Sequence, residues 1–323
     1  MHAKVMPNLK ETYHPGATLD LYPLQPPAPP TSAYPTYDGP LTPTQLSERY
    51  NKSIAERIAL PSTPPAVSIT LEKRFDCSTR RVPHVWSARV QGSSSHEGAM
   101  TTMTTTTTTT TSTTYPPLLV AKIFDPVFFD DDETQWDDPF VLRDLSVSCE
   151  VGAYRRLGSL QGTKVPRFYG YFAAALPAQH GRTVYIILLE KVPGRDLRAI
   201  VPPDVAENVC VKHKDAIIDA ALRLFFDVFA CGVDQHDMQP RNVILRPQKD
   251  VSLSVSGTRF CETKECLLVL EVDCDDLHMV MVDFEMVEFK EPNTSFSEKA
   301  VQGTQIEKGK SQYIERWLEN KML

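Results

Sequence analysis

The sequence has no excess of positive charge and no apolar run long enough to cross a membrane. Its 34 Lys and Arg residues are outnumbered by 41 Asp and Glu residues, so the formal net charge is −7. Because nucleic acids and anionic membrane surfaces attract basic faces, the sequence predicts neither as a partner. The first residues also lack the apolar core of a signal peptide. We therefore expect an intracellular protein, cytoplasmic or nuclear, that does not associate with membranes.

Cysteine is also scarce, with seven residues scattered along 323 positions. An odd, scattered set does not suit a disulfide framework. Cys261 and Cys266 form the one close pair away from the expected core, and no second Cys or His pair follows them at metal-ligand spacing. We therefore predict free thiols, with a metal site as the alternative.

Residues 1–41 contain much of the chain's proline and little apolar mass. Proline neither donates to a β-ladder nor continues a helix, so we predict a disordered tail there. A helix is predicted within residues 42–62, because Thr42 and Gln45 have the spacing of a capping box. Its apolar residues recur every four positions, which predicts a stripe that docks on the folded body. They are Leu46, Tyr50, Ile54 and Ile58.

Alternating apolar residues predict two strands, one starting at Val67 and one over "HVWSARV". A threonine-rich tract of low complexity follows in residues 92–117. A threonine homopolymer favours strands but offers no register, so we predict a long disordered loop between the second and third strands.

The most informative stretch is "GVDQHDMQPRNVIL", in which Asp237 precedes Asn242 by five positions at the start of an apolar run. A short loop of this kind can aim a carboxylate at an attacking hydroxyl while the Asn holds a metal ion, as phosphoryl transfer requires. Downstream, the apolar run "MVMV" ends in Asp283, which can bring a second carboxylate to the same metal.

These motifs resemble those of the protein kinase-like superfamily. Asp237 and Asn242 match the catalytic loop, and Asp283-Phe284 match the start of the metal-binding Asp-Phe-Gly. Glu285 replaces the glycine, as is often seen in aminoglycoside and choline kinase-like members. The sequence around these motifs is also similar to that of kinase-like proteins common in fungi. The resemblance implies that Asn242 and Asp283 bind Mg²⁺ and that Asp237 is the catalytic carboxylate.

The resemblance extends upstream, over roughly residues 67–290. "LLVAKIFD" resembles the strand whose lysine, here Lys122, contacts the ATP phosphates, and "SCEVGAYRRL" resembles the helix whose glutamate, here Glu150, pairs with that lysine. "VYIILLEKVPGRDL" is similar to the interlobe hinge, which implies that the backbone from Glu190 to Val192 contacts the adenine.

The implied fold is α+β and two-lobed, with a small β-rich N-lobe over residues 63–190 and a helical C-lobe over residues 191–323. The sequence departs from the family in two places. The turn "DCSTRRVP" contains no glycine where protein kinases have a phosphate-clamping glycine-rich loop. The C-lobe is truncated and contains an insertion at residues 248–276, and it ends in a helix expected near residues 312–321.

Three hypotheses follow. The first is an ATP-dependent phosphotransferase that transfers the γ-phosphate to a hydroxyl of a protein or a small molecule, with Lys122 and Glu150 on the phosphates. The second is a pseudokinase that acts as a binding module, for which the glycine-free turn and the short C-lobe argue. The third is an unrelated α+β domain with chance matches, which would require five residues to coincide in order.

Overall fold

The computed structural model describes residues 9–30, 42–75, 83–91, 114–128, 138–201, 208–247, 266, 268 and 272–292. The chain divides into two compact units. The first unit comprises residues 1–25, 36–143 and 168–191, and the second comprises residues 26–35, 144–167 and 192–323. The predicted turn at 76–83 (except its last residue), most of the threonine-rich tract, most of the 248–276 insertion and the C-terminal helix lie outside the described residues.

The described residues form an α+β structure. The helices are α1 (Leu9–Thr12), α2 (Pro43–Ala55), α3 (Pro139–Arg156), α4 (Leu197–Ile200) and α5 (Val211–Ala230). The strands of the first unit are β1 (Thr18–Pro23), β2 (Val67–Arg74), β3 (His84–Val90), β4 (Leu118–Phe124), β5 (Phe168–Leu176) and β6 (Arg182–Glu190). Those of the second unit are β7 (Arg195–Asp196), β8 (Val233–Gln235), β9 (Val243–Leu245), β10 (Met279–Met281) and β11 (Val287–Phe289). None of the described helices is both long and apolar enough to span a membrane.

The first unit is a closed barrel in the strand order β1-β2-β3-β4-β6-β5. All neighbouring strands are antiparallel. Alternate residues of β2 point into the barrel, as the sequence pattern predicts, and the predicted strand β3 is confirmed. The interior is filled by branched and small apolar side chains, which include Leu21, Ile69, Leu71, Leu119, Ala121, Ile123, Ile186 and Leu188.

The prediction that residues 1–41 form a disordered tail is wrong for β1, which closes the barrel between β2 and β5. Leu19 and Leu21 are 5% and 0% exposed. The alternation of buried and exposed residues in β1 is short and precedes the proline run. The proline content of the whole segment concealed it. Pro23 ends the strand, where a missing backbone N–H is tolerated.

Helix α2 begins as predicted, with Thr42 and Gln45 in a capping box. The amide of Gln45 donates to Thr42 Oγ1 at 3.3 Å, and the Thr42 amide donates to Gln45 Oε1 at 2.9 Å. The helix ends at Ala55, earlier than the predicted stripe requires. Tyr50 is its buried residue, and the guanidinium of Arg182 lies 5.7 Å from the Tyr50 ring centre. One aromatic residue therefore carries much of the contact between α2 and β6.

A buried ion pair ties the N-terminal segment to the barrel. Arg182 donates to Asp125 through Nη1 at 2.9 Å and through Nη2 at 2.6 Å, and the two side chains are 1% and 0% exposed. Tyr13 donates its hydroxyl to Asp125 at 2.8 Å, and Gln179 accepts from Arg182 Nε at 2.8 Å. Burial of the guanidinium opposes its charge, but the Asp125 carboxylate outweighs this effect and raises the pKa of Arg182.

The second unit is built around α5, whose buried apolar residues recur with the 3.6-residue period of one helical face. Its buried residues include Ile217, Ala221, Leu224, Phe225 and Val228. A three-stranded sheet in the order β10-β9-β7 and a two-stranded pair β11-β8 accompany the helix. The division differs from the predicted boundary at residues 190 and 191, because residues 144–167, with most of α3, belong to this unit.

Candidate active site

The hairpin of β9 and β10 brings Asn242 and Asp283 to one end of the same sheet. Val243 pairs with Met281 in its antiparallel register. The residues just outside this pair are therefore neighbours, and the amide of Val282 donates to the carbonyl of Asn242 at 2.9 Å. Of the two residues that the sequence assigns to a metal ion, Asn242 directly precedes the short apolar strand β9 and Asp283 closely follows the short apolar strand β10.

Asp237 and Asn242 form one closed loop, as their spacing predicts. Asn242 Nδ2 donates to the Asp237 carbonyl at 2.8 Å and to Asp237 Oδ2 at 3.1 Å. Arg241 Nη2 donates to the same Oδ2 at 2.8 Å. The Asp237 side chain is only 13% exposed, and Asn242 is 4% exposed. The loop therefore fixes the orientation of the carboxylate before any substrate binds.

Gln235 connects this loop to the Asp283 turn, and the sequence analysis did not identify it. Its side chain is fully buried. Gln235 Oε1 accepts from the amide of Asp237 at 3.0 Å, while Nε2 donates to the carbonyl of Asp283. A single amide group therefore sets the position of both acidic residues. A Gln two residues before an Asp has no distinctive spacing, so the sequence offers no signal for this role.

The backbone of Asp283 has a φ of 70°, in the left-handed region that residues other than glycine seldom adopt. Asp tolerates this conformation better than most residues, and the bond from Gln235 to its carbonyl helps to hold it. Backbone conformations of this kind concentrate at functional sites. The strain falls on the residue that the sequence assigns to the metal ion.

Helix α3 contributes to the same site. Glu150 is fully buried and lies one helical turn from Tyr154. The Tyr154 ring packs edge-on against Phe284 at 5.3 Å between centroids, and both side chains are fully buried. This packing fixes the face of α3 that carries Glu150 against the Asp283-Phe284-Glu285 turn.

Three carboxylates consequently converge. Glu150, Asp283 and Glu285 each have an oxygen within 4.8 Å of those of the other two. Sequence reasoning anticipated Asp283, assigned Glu150 only to a lysine, and treated Glu285 only as a family variation. Hard carboxylate oxygens are the ligands that Mg²⁺ and Ca²⁺ prefer, so the donor set fits a divalent cation.

Cys149 provides an independent indication of the negative field at this cluster. Its thiol donates to the carbonyl of Val287 at 3.9 Å. Burial is the largest cause that raises the pKa of Cys149 to about 11, and the charges of Glu285 and Glu150 raise it further. The thiol therefore stays protonated and is not a candidate nucleophile.

The remaining predicted residues lie elsewhere. Lys122 lies on β4 with 4% of its surface exposed, in register with Val85 and Ile187. Glu190 ends β6 in the first unit, and Val192 is the first residue of the following stretch of the second unit. Because Lys122 and Glu150 belong to different units, their pairing stays a prediction, as does adenine contact by residues 190–192.

His236 is not part of the loop interior. Its side chain is 48% exposed, and its Nε2 lies 3.8 Å from a carboxylate oxygen of Asp234 and 3.8 Å from one of Glu288. The residue therefore belongs to a surface cluster, and the side chains that contact the Asp237 carboxylate in this loop are those of Arg241 and Asn242.

No family model and no curated protein matches the sequence. Among solved structures, the chain is similar to the kinase domain of Mycobacterium tuberculosis PknI, with 14% identity and a TM-score of 0.37 over 68% of this chain and 60% of that chain. It is also similar to WaaP in complex with acyl carrier protein, with 13% identity and a TM-score of 0.36 over 85% of this chain and 93% of that chain. The chain therefore spans less than two thirds of the PknI kinase domain. At TM-scores this low the likeness assigns neither fold nor function, so both rest on the chain's own residues.

Proposed function

We propose that this chain is a protein kinase-like phosphotransferase, with a β-rich N-lobe and a helical C-lobe, that transfers the γ-phosphate of ATP to a hydroxyl. The observation that supports the proposal is the joint fixation of Asp237, Asn242 and Asp283 by the β9–β10 hairpin and by Gln235. This arrangement supports the proposal, because phosphoryl transfer uses one carboxylate at the attacking hydroxyl and an amide with a second carboxylate at the metal ion.

In this proposal Asp237 orients the attacking hydroxyl and accepts its proton. Arg241 and Asn242 hold one carboxylate oxygen of Asp237, so the carboxylate is oriented before the substrate arrives. Pre-organisation of this kind reduces the entropy lost on reaching the transition state. The acceptor is a hydroxyl of a protein or of a small molecule.

Asp283 and Asn242 would hold Mg²⁺, with Glu285 and Glu150 close to Asp283. The ion would neutralise charge on the phosphate oxygens during transfer. Lys122 would contact the phosphates with Glu150 as its partner, and the backbone from Glu190 to Val192 would contact the adenine.

The second candidate is a pseudokinase that binds partners without turnover. It is favoured by the ion pair between Arg241 and Asp237, which already engages the carboxylate in the absence of substrate. The glycine-free turn before β3 supports it as well, since backbone amides of a glycine-rich loop would otherwise clamp the phosphates.

Turnover and ligand binding by Asp237→Ala and Asp283→Ala test the proposal. We expect Asp237→Ala to lower ATP turnover by about 10²–10⁴-fold while the Mg²⁺-dependent rise in melting temperature with ATP persists. Asp283→Ala should lose that rise, which corresponds to about 2.7 kcal/mol at 100 times the dissociation constant.

Asp234→Ala is the matched control, because Asp234 lies three residues before Asp237 in the surface cluster and outside the fixed loop. It should behave like the wild type in both assays. Full turnover by Asp237→Ala would rule out the catalytic role. A nucleotide-dependent rise with no turnover in the wild type would favour the pseudokinase.

A further inference from the structure

A second cluster of metal-binding side chains lies away from Asp237. Cys210 is the residue that precedes α5, His213 follows on the first turn of the helix, and Cys266 comes from the insertion at residues 248–276. His213 and Cys266 are buried at 0% and 2% exposure, and Cys210 is partly exposed. The cluster is therefore enclosed on most sides and reachable from the side of Cys210.

The distances match those of a tetrahedral metal site. His213 Nδ1 lies 3.2 Å from Cys210 Sγ and 3.5 Å from Cys266 Sγ. Zinc–sulfur bonds of about 2.3 Å and zinc–nitrogen bonds of about 2.0 Å at tetrahedral angles place S and N about 3.5 Å apart. All three ligand atoms lie within 4.8 Å of one another. A zinc ion would thus need only small movements of these side chains.

The orientation of the His213 ring supports metal binding over thiol hydrogen bonds. His213 Nε2 lies 2.9 Å from the carbonyl of Val272, which can only accept, so Nε2 carries the proton. Nδ1 therefore presents its single lone pair to both sulfurs. One lone pair cannot accept well from two thiols, whereas one cation can bind the nitrogen and both sulfurs. A metal-binding His usually donates its other N–H to a carbonyl or carboxylate.

A backbone amide donates to the sulfur of Cys266. The donor is the amide of Cys210, at 3.4 Å from Cys266 Sγ. It stands at the N-terminus of α5, where the backbone amides point away from the helix. A metal-bound thiolate accepts hydrogen bonds of this kind, so the contact is compatible with a bound metal.

We propose that Cys210, His213 and Cys266 bind a zinc ion, with water in the fourth position. Two thiolates and an imidazole suit zinc and do not suit Mg²⁺, which prefers oxygen ligands. Binding displaces the two thiol protons into solvent. The ion joins the insertion to the start of α5, which gives the insertion a structural role that the sequence did not reveal.

The prediction of free thiols stays a prediction, although none of the five described cysteines forms a disulfide. It overlooked a signal in the sequence, because Cys210 and His213 have the Cys-x-x-His spacing that places two ligands on one helical turn. The third ligand follows 53 residues after the histidine, so only the fold brings it near.

The test is the metal content of the purified full-length protein, expressed in zinc-supplemented medium and desalted. We expect about one zinc ion per chain in the wild type, falling at least about tenfold in Cys210→Ser and Cys266→Ser. Cys231→Ser is the matched control, because Cys231 lies at the opposite end of α5 from Cys210. It should retain the wild-type zinc content. Replacement of the metal by Co²⁺ should give the visible absorption of tetrahedral thiolate coordination in the wild type and in Cys231→Ser.

A folding defect is separated from metal loss by adding zinc to chelator-treated protein. The melting temperature of the wild type should rise, and that of Cys210→Ser, whose changed side chain is partly exposed, should not. A wild-type zinc content equal to that of Cys266→Ser would overturn the proposal. A Cys210–Cys266 disulfide found by mass spectrometry of the freshly purified protein would overturn it as well.

Discussion

Replacement of Gln235 by Met should destabilise the second unit and disturb the candidate metal site. Methionine has a similar length and no hydrogen-bonding amide. The substitution leaves the amide of Asp237 and the carbonyl of Asp283 without the partner that Gln235 supplies. A hydrogen bond contributes about 0.5–1.5 kcal/mol to the free energy of unfolding, so the loss of both bonds costs about 1–3 kcal/mol.

The melting temperature measures the first part of this prediction. At about 2 °C per kcal/mol in a large domain, Gln235→Met should melt at least about 2 °C below the wild type. The Mg²⁺-dependent rise in melting temperature with ATP measures the second part. This rise should be smaller in Gln235→Met, because the strained backbone of Asp283 loses one of its restraints.

Gln179→Met is the matched control. Gln179 is also buried, donates to Thr12 Oγ1 at 2.9 Å and accepts from Arg182 Nε at 2.8 Å, but it lies in the first unit. Its substitution should lower the melting temperature and leave the Mg²⁺-dependent rise unchanged. Melting of Gln235→Met within about 1 °C of the wild type would refute the reasoning. An equal loss of the Mg²⁺-dependent rise in both variants would refute the specific link to Asp283.

Two further predictions concern the first unit. Asp125→Asn removes the charge opposite the buried Arg182 guanidinium. Urea denaturation should therefore show a decrease of about 3–5 kcal/mol in the free energy of unfolding. A decrease below about 1 kcal/mol is the value of an exposed ion pair and would contradict the prediction. Burial lowers the pKa of His84 from 6.5 to about 4, with Arg74 adding to the effect and Asp125 opposing it. Between these values the unfolded chain binds a proton that the folded chain does not, so stability falls as the pH falls from 6.5 to about 4, by about 3 kcal/mol in total. His84→Gln should show a shallower decline over this window, and equal slopes would contradict the assignment.

Local patterns predicted the features that depend on neighbouring residues. The spacing of Asp237 and Asn242 indicated a single loop, and the apolar runs of β9 and β10, which pair across a long connection, indicated that Asn242 and Asp283 lie at one end of an antiparallel pair. The capping box of α2 and the period of α5 were readable for the same reason.

The features that the sequence did not reveal depend on residues far apart in the chain. The strand β1 became recognisable only through its pairing with β2 and β5, and the carboxylate cluster needed Glu150 on α3 to meet a turn more than a hundred residues later. Gln235 and the Cys210 cluster depend on the direction of single side chains. The spacing of Cys210 and His213 indicates two of the ligands, but periodicity and spacing carry no information about which distant residues these side chains meet.

The contact between Arg241 and Asp237 is compatible with both proposed functions, and the chemistry shows why. Arg241 and Asn242 hold one oxygen of Asp237 at 2.8 and 3.1 Å. Phosphoryl transfer through a loose transition state depends mainly on positioning and electrostatic stabilisation, since the bond to the attacking hydroxyl is barely formed. A carboxylate that is oriented by its neighbours therefore meets the requirement of a phosphotransferase, and it would equally stabilise the loop of a binding module. The distinction depends on whether the wild type turns over ATP, which makes the comparison of its turnover with that of Asp237→Ala more decisive than any change to Arg241.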